Sequence, residues 1–306
     1  MPDMVPQTLK EIALDKAKKR PELVDYLTEE SPILAMLKFI PATHGLWNVE
    51  EVLSRVEGPS FVDLGEPLPG MMAETNLRQT YVSVLGGEME VAKDKADQFG
   101  GAAKYFARRE SAILKKAGMD TELAIWRDHW RKAALKAGLV TKGGATSKCY
   151  TVMVVRFDKE INIGIYDPNG FNQGRLVDIT PINGGNLYHL RSQKDVLGYG
   201  VEYRGRFGWQ NLAPERAVHA IVNVTAAKLP SLVQLEDAIA AVRGTAENTY
   251  IFGNHKILQK TMSAIKKEYL QMTVNDGSMK TAIGDINGVR VVGSYNLPDG
   301  TEDAVA

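Results

Sequence analysis

Apolar positions recur every three or four residues from Leu123 through Trp126, Trp130 and Ala134 to Ala137, a spacing that predicts a helix from about Thr121 with one buried face. Gly138 follows as its stop, and Gly118 is placed to close an earlier helix that begins after Gly100-Gly101. Beyond Gly143-Gly144 the pattern turns strand-rich. Cys149 to Phe157 and Ile161 to Tyr166 read as strands, followed by the turn residues Asp167-Pro168-Asn169-Gly170 and by short pieces at Leu176 to Ile179 and Leu187 to Leu190. Tyr199, Val201 and Tyr203 alternate with small or polar residues, and Ala217 to Val224 is a further strand. Ser231 and Gln234 are spaced as a capping box ahead of Leu235, Ala238, Ile239 and Val242, with Gly244 as the stop. After a short strand at Tyr250 to Phe252, Asn254 caps a helix carrying Leu258, Met262 and Ile265. Asn287-Gly288 predicts a tight hairpin between Ala282 to Ile286 and Val289 to Val292.

The first ninety residues have another character. Residues 1–46 read as an arm of short helical pieces: Leu9, Ile12 and Ala13 share one face, and Leu23, Val24 and Leu27 another. Neither patch is long enough for an isolated helix, so both need a surface to lie on. Ser31-Pro32 opens a short apolar turn of Ile33, Leu34, Met36 and Leu37, which Pro41 closes. From Trp47 to Met89, Pro59, Pro67 and Pro69 with Gly58, Gly65 and Gly70 break the chain into strand-like pieces such as Ser60 to Val62 and Thr80 to Val84. This layout predicts a protruding two-stranded loop. The tail from Pro298 is expected to fray.

Charge sharpens that division. The chain of 306 residues carries 37 basic and 37 acidic side chains, a formal charge of zero that argues against a dedicated nucleic-acid or membrane binder. The signs are separated along the chain, however: residues 48–76 hold six acidic side chains and one basic, a net of −5, whereas residues 93–137 hold eleven Lys or Arg against six Asp or Glu, a net of +5. Two readings stand at this point. Both segments are ordinary solvated faces, or Glu50, Glu51, Glu57, Asp63 and Glu66 of one copy meet the basic segment of the next. Trp126 and Trp130, four residues apart, pack in the core or between copies.

Motifs for chemistry are lacking. Cys149 is the single cysteine, and His44, His129, His189, His219 and His255 lie far apart with no metal-ligand spacing. Gly143 to Lys148 lacks the order of a phosphate loop, and no nucleophile elbow is present. No catalytic residue, cofactor or metal is expected. No stretch reaches 18 uninterrupted apolar residues and the first residues do not read as a secretory signal, so synthesis and assembly in the cytoplasm are expected, with no membrane partner.

Several phrases resemble the major capsid proteins of tailed bacteriophages, specifically the GP7-like group of the HK97-type shell proteins. Leu27-Thr28-Glu29-Glu30-Ser31-Pro32-Ile33-Leu34, continuing through Met36, Leu37 and Phe39, is similar to that group's opening, with Lys38 where proline is frequent. Leu85 to Val91, Asp195 to Trp209 with Leu212, Arg216, Ala217 and Val218, Asn248 to Asn254, and Gly288 to Val292 resemble later body segments. The resemblance implies an α+β HK97-like fold: an N-terminal arm over 1–46, an extended loop over 47–90, and a peripheral domain with a spine helix over 91–140. A mainly axial domain would occupy 141–225, peripheral and axial return segments 226–295, and a C-terminal tail 296–306. It further implies self-assembly as hexamers and pentamers into an icosahedral virion capsid, built in the host bacterium's cytoplasm. The implied partners are copies of the chain, a portal protein, scaffold and decoration proteins, and enclosed double-stranded DNA. Residues 48–92 contain no lysine, so the loop-borne isopeptide crosslink of some relatives is not expected. An encapsulin-type nanocompartment shell, which shares this fold, and a soluble α/β enzyme with a long arm remain the alternatives.

Overall fold

A computed structural model describes residues 6–9, 11–12, 26–64, 66–168, 177–268 and 282–305. Its strands are β1 (Gln7–Thr8), β2 (Lys38–Pro41), β3 (Trp47–Glu57), β4 (Met72–Tyr81), β5 (Ser83–Ala92), β6 (Val140–Lys142), β7 (Tyr150–Arg156), β8 (Asn162–Tyr166), β9 (Val177–Pro181), β10 (Tyr188–His189), β11 (Leu197–Asn211), β12 (Val218–Val224), β13 (Thr249–Asn254), β14 (Ala282–Ile286) and β15 (Val289–Ser294). They form a six-stranded sheet in the order β14-β15-β13-β7-β12-β6, a second sheet organised on β11, and an isolated pair, β3-β4. The helices that matter here are α1 (Pro32–Met36), α2 (Ala102–Ala124), α3 (Lys132–Ala137), α4 (Leu232–Ala241) and α5 (His255–Glu268).

The six-stranded sheet is covered on both faces, which explains why Val152 to Val155 of β7 form an unbroken apolar run and why every residue of β12 is buried. Met153, Val155, Val218, Ala220, Val222, Phe252 and Val292 pack toward Trp126, Trp130 and Ala134. The alternate positions Val152, Val154, Ile221, Ile251 and Val291 pack toward Leu235 and Ala238 of α4 and Leu258 and Met262 of α5. Asn223, at φ 59°, shifts the register of β12, so that Val224 joins the second set although Val222 belongs to the first. Ser231 caps α4 through the expected capping box with Gln234, and Asn254 Oδ1 accepts from Lys256 N at 3.0 Å at the start of α5. The residue that turns the chain left-handed after α4 is Arg243 (φ 51°), whereas Gly244 is needed because a Cβ there would lie 2.5 Å from Thr249 Oγ1. The Asn287-Gly288 hairpin forms between β14 and β15, with both turn residues at positive φ (51° and 78°).

Two helices were expected between residues 102 and 137, and the structure has one continuous rod. α2 passes through a π-helical segment (Ile125–Arg131) into α3, and Gly138 (φ 71°) ends it. Gly118 lies inside the rod. A Cβ at Gly118 would sit 2.0 Å from the carbonyl oxygen of Leu27 and 2.8 Å from Ser31 Oγ, so the glycine exists to let the arm cross the helix. Leu9, Ile12, Leu27, Ile33, Leu34 and Leu37 are all buried there. Pro41 does not close the turn of α1; it lies in β2, parallel to β8. Residues 60–62 form no strand.

The tail also departs from expectation. Glu302 pairs its backbone with Cys149 at 2.9 and 3.2 Å, and its buried carboxylate accepts from Trp126 Nε1 at 3.1 Å and from Thr151 Oγ1. Asn223 then clamps Val305 by two bonds of 2.8 Å, Nδ2 to the carbonyl oxygen and Oδ1 from the amide. The described part of the tail is therefore an anchored element of the core. Expectations for Ala13, Leu23, Val24, Gly65, Asn169, Gly170 and Leu176 fall outside the described residues.

Candidate assembly surface

β3 and β4 pair from Trp47 opposite Tyr81 out to Glu57 opposite Met72, a ribbon roughly 35 Å long at strand rise. Its base is bonded to the body. Asn48 Nδ2 donates to Gln210 Oε1 at 2.6 Å, and Arg78 Nη1 donates to the Leu212 carbonyl oxygen at 2.9 Å. Beyond the base the ribbon stands clear of its own chain over a crevice of about 1110 Å³, lined by Val49, Glu51, Leu53 and Leu77 on the ribbon side and Ile161 and Arg216 on the body side.

This ribbon and its tip are where the apolar surface of the chain is exposed. Of the 17 large hydrophobic side chains exposed among the described residues, 12 lie between Leu46 and Val84. Phe61 and Leu64, at the tip, are each 108% exposed, and Leu68 and Met71 follow at 82% and 70%. Burying a side chain of this size contributes roughly 1.5–3 kcal/mol, so the tip alone holds on the order of 6–12 kcal/mol that the isolated chain leaves unused, before the ordering cost is subtracted. Scattered exposed hydrophobics are ordinary, but a cluster of this kind marks a surface that meets another.

The expected acidic residues lie on the same element. Glu50 sits opposite Arg78 in the ladder and accepts from Asn48 Nδ2 at 3.3 Å. Glu57 pairs with Arg55. Glu51, Asp63 and Glu66 are exposed and have no ion pair with a described residue. The basic segment is partly neutralised within the chain: Lys115 reaches Glu29 and Glu30 at 3.2 and 3.3 Å, Lys116 meets Asp120 at 2.5 Å, and Lys132 meets Asp128 at 2.6 Å. Lys104, Arg108, Arg127 and Lys136 remain exposed without such a pair among the described residues. None of the five acidic candidates bonds to the basic segment of its own chain there.

Trp126 and Trp130 belong to the core and not to an exposed contact surface. They are 1% and 0% exposed, and Trp130 stacks on Phe252 at 5.2 Å and meets Trp209 edge-on at 5.7 Å. Their spacing signalled burial, but periodicity cannot say whether the covering surface is the chain's own.

Two carboxylates that no motif announces organise the surroundings. Glu122, fully buried on the rod, accepts from Ile33 N at 3.2 Å and is faced by Leu34 N, Ser294 and Asn296; burial outweighs these bonds and pushes its pKa up to about 7. Glu90 accepts from Tyr188 Oη at 2.7 Å, Ser192 Oγ at 2.6 Å, Arg191 N at 2.9 Å and Ser192 N at 3.0 Å. Partial burial works against its ionisation, yet the combined bonds hold its pKa down at about 2. Both pin segments of the chain. Neither faces a second carboxylate or a nucleophile in a way that divides acid and base roles.

Among the described residues no group of three or more His, Cys, Asp or Glu is placed to hold a metal ion. Thr141 Oγ1 and His219 Nε2 lie 2.9 Å apart, but His219 Nδ1 is buried without a partner, so no third group orients the ring as a catalytic base. No described helix is long and apolar enough to cross a membrane.

No protein-family model matches the chain, and no curated protein does. Among solved structures it is similar to a chain of bacteriophage Epsilon15 solved by cryo-EM, at 18% identity and a TM-score of 0.53 over 88% of each chain. It is also similar to a chain of the bacteriophage JBD30 capsid, at 11% identity and a TM-score of 0.50, over 95% of this chain and 99% of that one. At these identities the likeness is one of fold alone, a mixed α+β architecture shared with these two phage chains.

Proposed function

We propose that this chain is the shell-building subunit of a tailed phage, a major capsid protein of the GP7-like group that assembles as hexamers and pentamers into an icosahedral capsid around double-stranded DNA. The observation that carries the reading is the ribbon: an element held only at its base, with 10 of the 17 exposed large hydrophobics of the described residues between Trp47 and Tyr81 and an acidic surface, on a fold shared with a phage capsid chain. A catalyst gains nothing from such an element. A subunit that must meet a different surface on each neighbour needs one, because closed shells are built from heterologous contacts. In this reading the ribbon is part of the extended loop, residues 1–46 are the arm, the rod of residues 102–137 is the spine helix, and the six-stranded sheet belongs to the axial domain with its return segments. Portal, scaffold and decoration proteins would be further partners, with the virion as the destination.

In this reading the acidic ribbon of one copy lies against the basic segment of the next, where Lys104, Arg108, Arg127 and Lys136 are available. Complementary potential of this kind sets register and rate more than affinity. The test is expression of the full chain, followed by size-exclusion chromatography and negative-stain microscopy. Megadalton shells are expected, and a monodisperse small oligomer under all assembly conditions would end the proposal. Reversal of Glu50, Glu51 and Glu57 together to lysine should lower shell yield at least tenfold and make the residual yield less sensitive to salt. Wild-type yield in that variant would remove the electrostatic half of the docking.

A further inference from the structure

The base of the ribbon is seated on alternate residues of a single segment. A Cβ on Gly208 would lie 2.9 Å from the carbonyl oxygen of Tyr81, so only glycine lets the end of β4 approach β11. Two residues on, Gln210 Oε1 accepts from Asn48 of β3 at 2.6 Å. Two further, the carbonyl oxygen of Leu212 accepts from Arg78 of β4 at 2.9 Å. Both strands of the ribbon are thus tied to the stretch from Gly208 to Leu212. Val82 N closes the base on the Leu46 carbonyl oxygen at 2.9 Å.

The middle of this seat is a polar pair at a buried position. Asn48 and Gln210 are both fully buried, and Gln210 Nε2 has no hydrogen-bond partner. An orphaned buried donor costs about 1–3 kcal/mol, so burial alone does not account for an amide at 210. An amide pair supplies direction, which apolar contact does not. Asn48 is itself oriented, because its Oδ1 accepts from Thr43 N at 3.0 Å. Direction matters here because the crevice of about 1110 Å³ under the ribbon leaves its flank without packing that could fix its angle.

We infer that the Asn48–Gln210 pair, seated between Gly208 and the Leu212 carbonyl, is a lock that fixes the angle at which the ribbon leaves the body, and through that angle the curvature at which copies join. The second half rests on the reading of the ribbon as the contact between copies. Asn48 and Gln210 are positioning residues in this scheme, and neither need touch the neighbour.

The test uses the full chain carrying Gln210→Ala, Asn48→Leu with Gln210→Leu, or the exchange Asn48→Gln with Gln210→Asn. Amide hydrogen exchange is read on the unassembled subunit, with β7 as the internal control. Loss of the pair should speed exchange across residues 49–57 and 72–80 by about tenfold, the equivalent of one buried hydrogen bond, and leave β7 unchanged. The double leucine variant separates direction from apolar packing: its ribbon should exchange as fast as that of the alanine variant although the buried volume is kept, with β7 exchanging at the wild-type rate. The exchanged amide pair should return the ribbon to within about threefold of the wild type. On assembly, the alanine and leucine variants should give a broadened distribution of particle diameters and the exchanged pair a narrow one. Unchanged ribbon exchange in the alanine and leucine variants, or failure of the exchanged pair to restore it, would overturn the lock. Fast ribbon exchange with wild-type particle diameters would overturn its link to curvature. If the wild type makes no particles, the shell reading fails, and the exchange data still decide whether the lock exists.

Discussion

The six-stranded sheet and the β3-β4 ribbon are built from the same strand-forming chemistry and end in opposite states. β7 and β12 are apolar on both faces, and every one of Val152 to Val155 is fully buried under helices or the aromatic cluster. The ribbon carries Leu53, Val56, Leu77 and Tyr81 at more than 60% exposure, with charges between them and two edges that pair with no strand among the described residues. A two-stranded ribbon without a packed face is marginal by itself. The difference teaches where the fold is complete within one chain and where it leaves apolar surface uncovered: the sheet stabilises the subunit, and the ribbon's apolar side chains add nothing to it while they face solvent.

The largest expected effect breaks the sheet side of this comparison. Trp130 touches Phe252, Trp209 and Phe157 and is wholly buried, so Trp130→Ala should destabilise the isolated subunit by about 3–5 kcal/mol. Urea denaturation followed by far-ultraviolet circular dichroism checks it. A loss below about 1 kcal/mol would mean that the aromatic cluster does not hold the rod against the sheet.

A smaller effect tests the junction between the arm and the body. Glu122 has a pKa of about 7 in the folded chain, above its ordinary value of 4.5, because burial disfavours its charge. The folded state therefore binds the proton more tightly than the unfolded state does. Its stabilising contribution is complete below pH 4.5, declines as the pH rises, and is gone above about pH 7, a swing on the order of 3 kcal/mol. Glu122→Gln keeps an acceptor for Ile33 N and removes the titration. The variant should gain stability relative to the wild type between pH 5 and pH 8, as read from paired denaturation curves. A difference that stays constant across that range would show that burial does not raise the carboxyl's pKa into it.

Much of the sheet side was legible because its determinants are local. The Asn287-Gly288 turn, the Ser231 capping box and the strands at 150–156, 162–166 and 218–224 are each set by a few adjacent residues. Gly118 was misread for the opposite reason: its role depends on the Leu27 carbonyl 91 positions earlier, and a glycine selected for close approach looks like one selected to end a helix. The tail from Pro298 looked loose because its anchors are the distant Trp126, Cys149 and Asn223. Trp126 and Trp130 were placed on the correct helical face, but a burial pattern is the same whether the cover is one's own chain or a neighbour's. The ribbon's protrusion was readable from its prolines, glycines and charge. Its seat on Gln210 was not, since nothing in sequence links residue 48 to a partner 162 positions away.

The smallest expected change in subunit stability is the one that separates the two regions most sharply. Phe61 and Leu64 touch solvent on all sides, so replacing both with serine removes no intrachain packing and should alter the unfolding free energy of the isolated subunit by less than about 0.5 kcal/mol. The same change removes two large apolar groups that would be covered in a contact between copies, each contributing roughly 1.5–3 kcal/mol there. A shell repeats its contact at every subunit, so a loss of this size per subunit should abolish particles at concentrations where the wild type assembles. Denaturation and particle yield measured on one preparation check both halves. Intact particles from Phe61→Ser with Leu64→Ser would show that the tip is solvated in the assembly, and would move the contact back along the ribbon to Leu53, Val56 and Leu77.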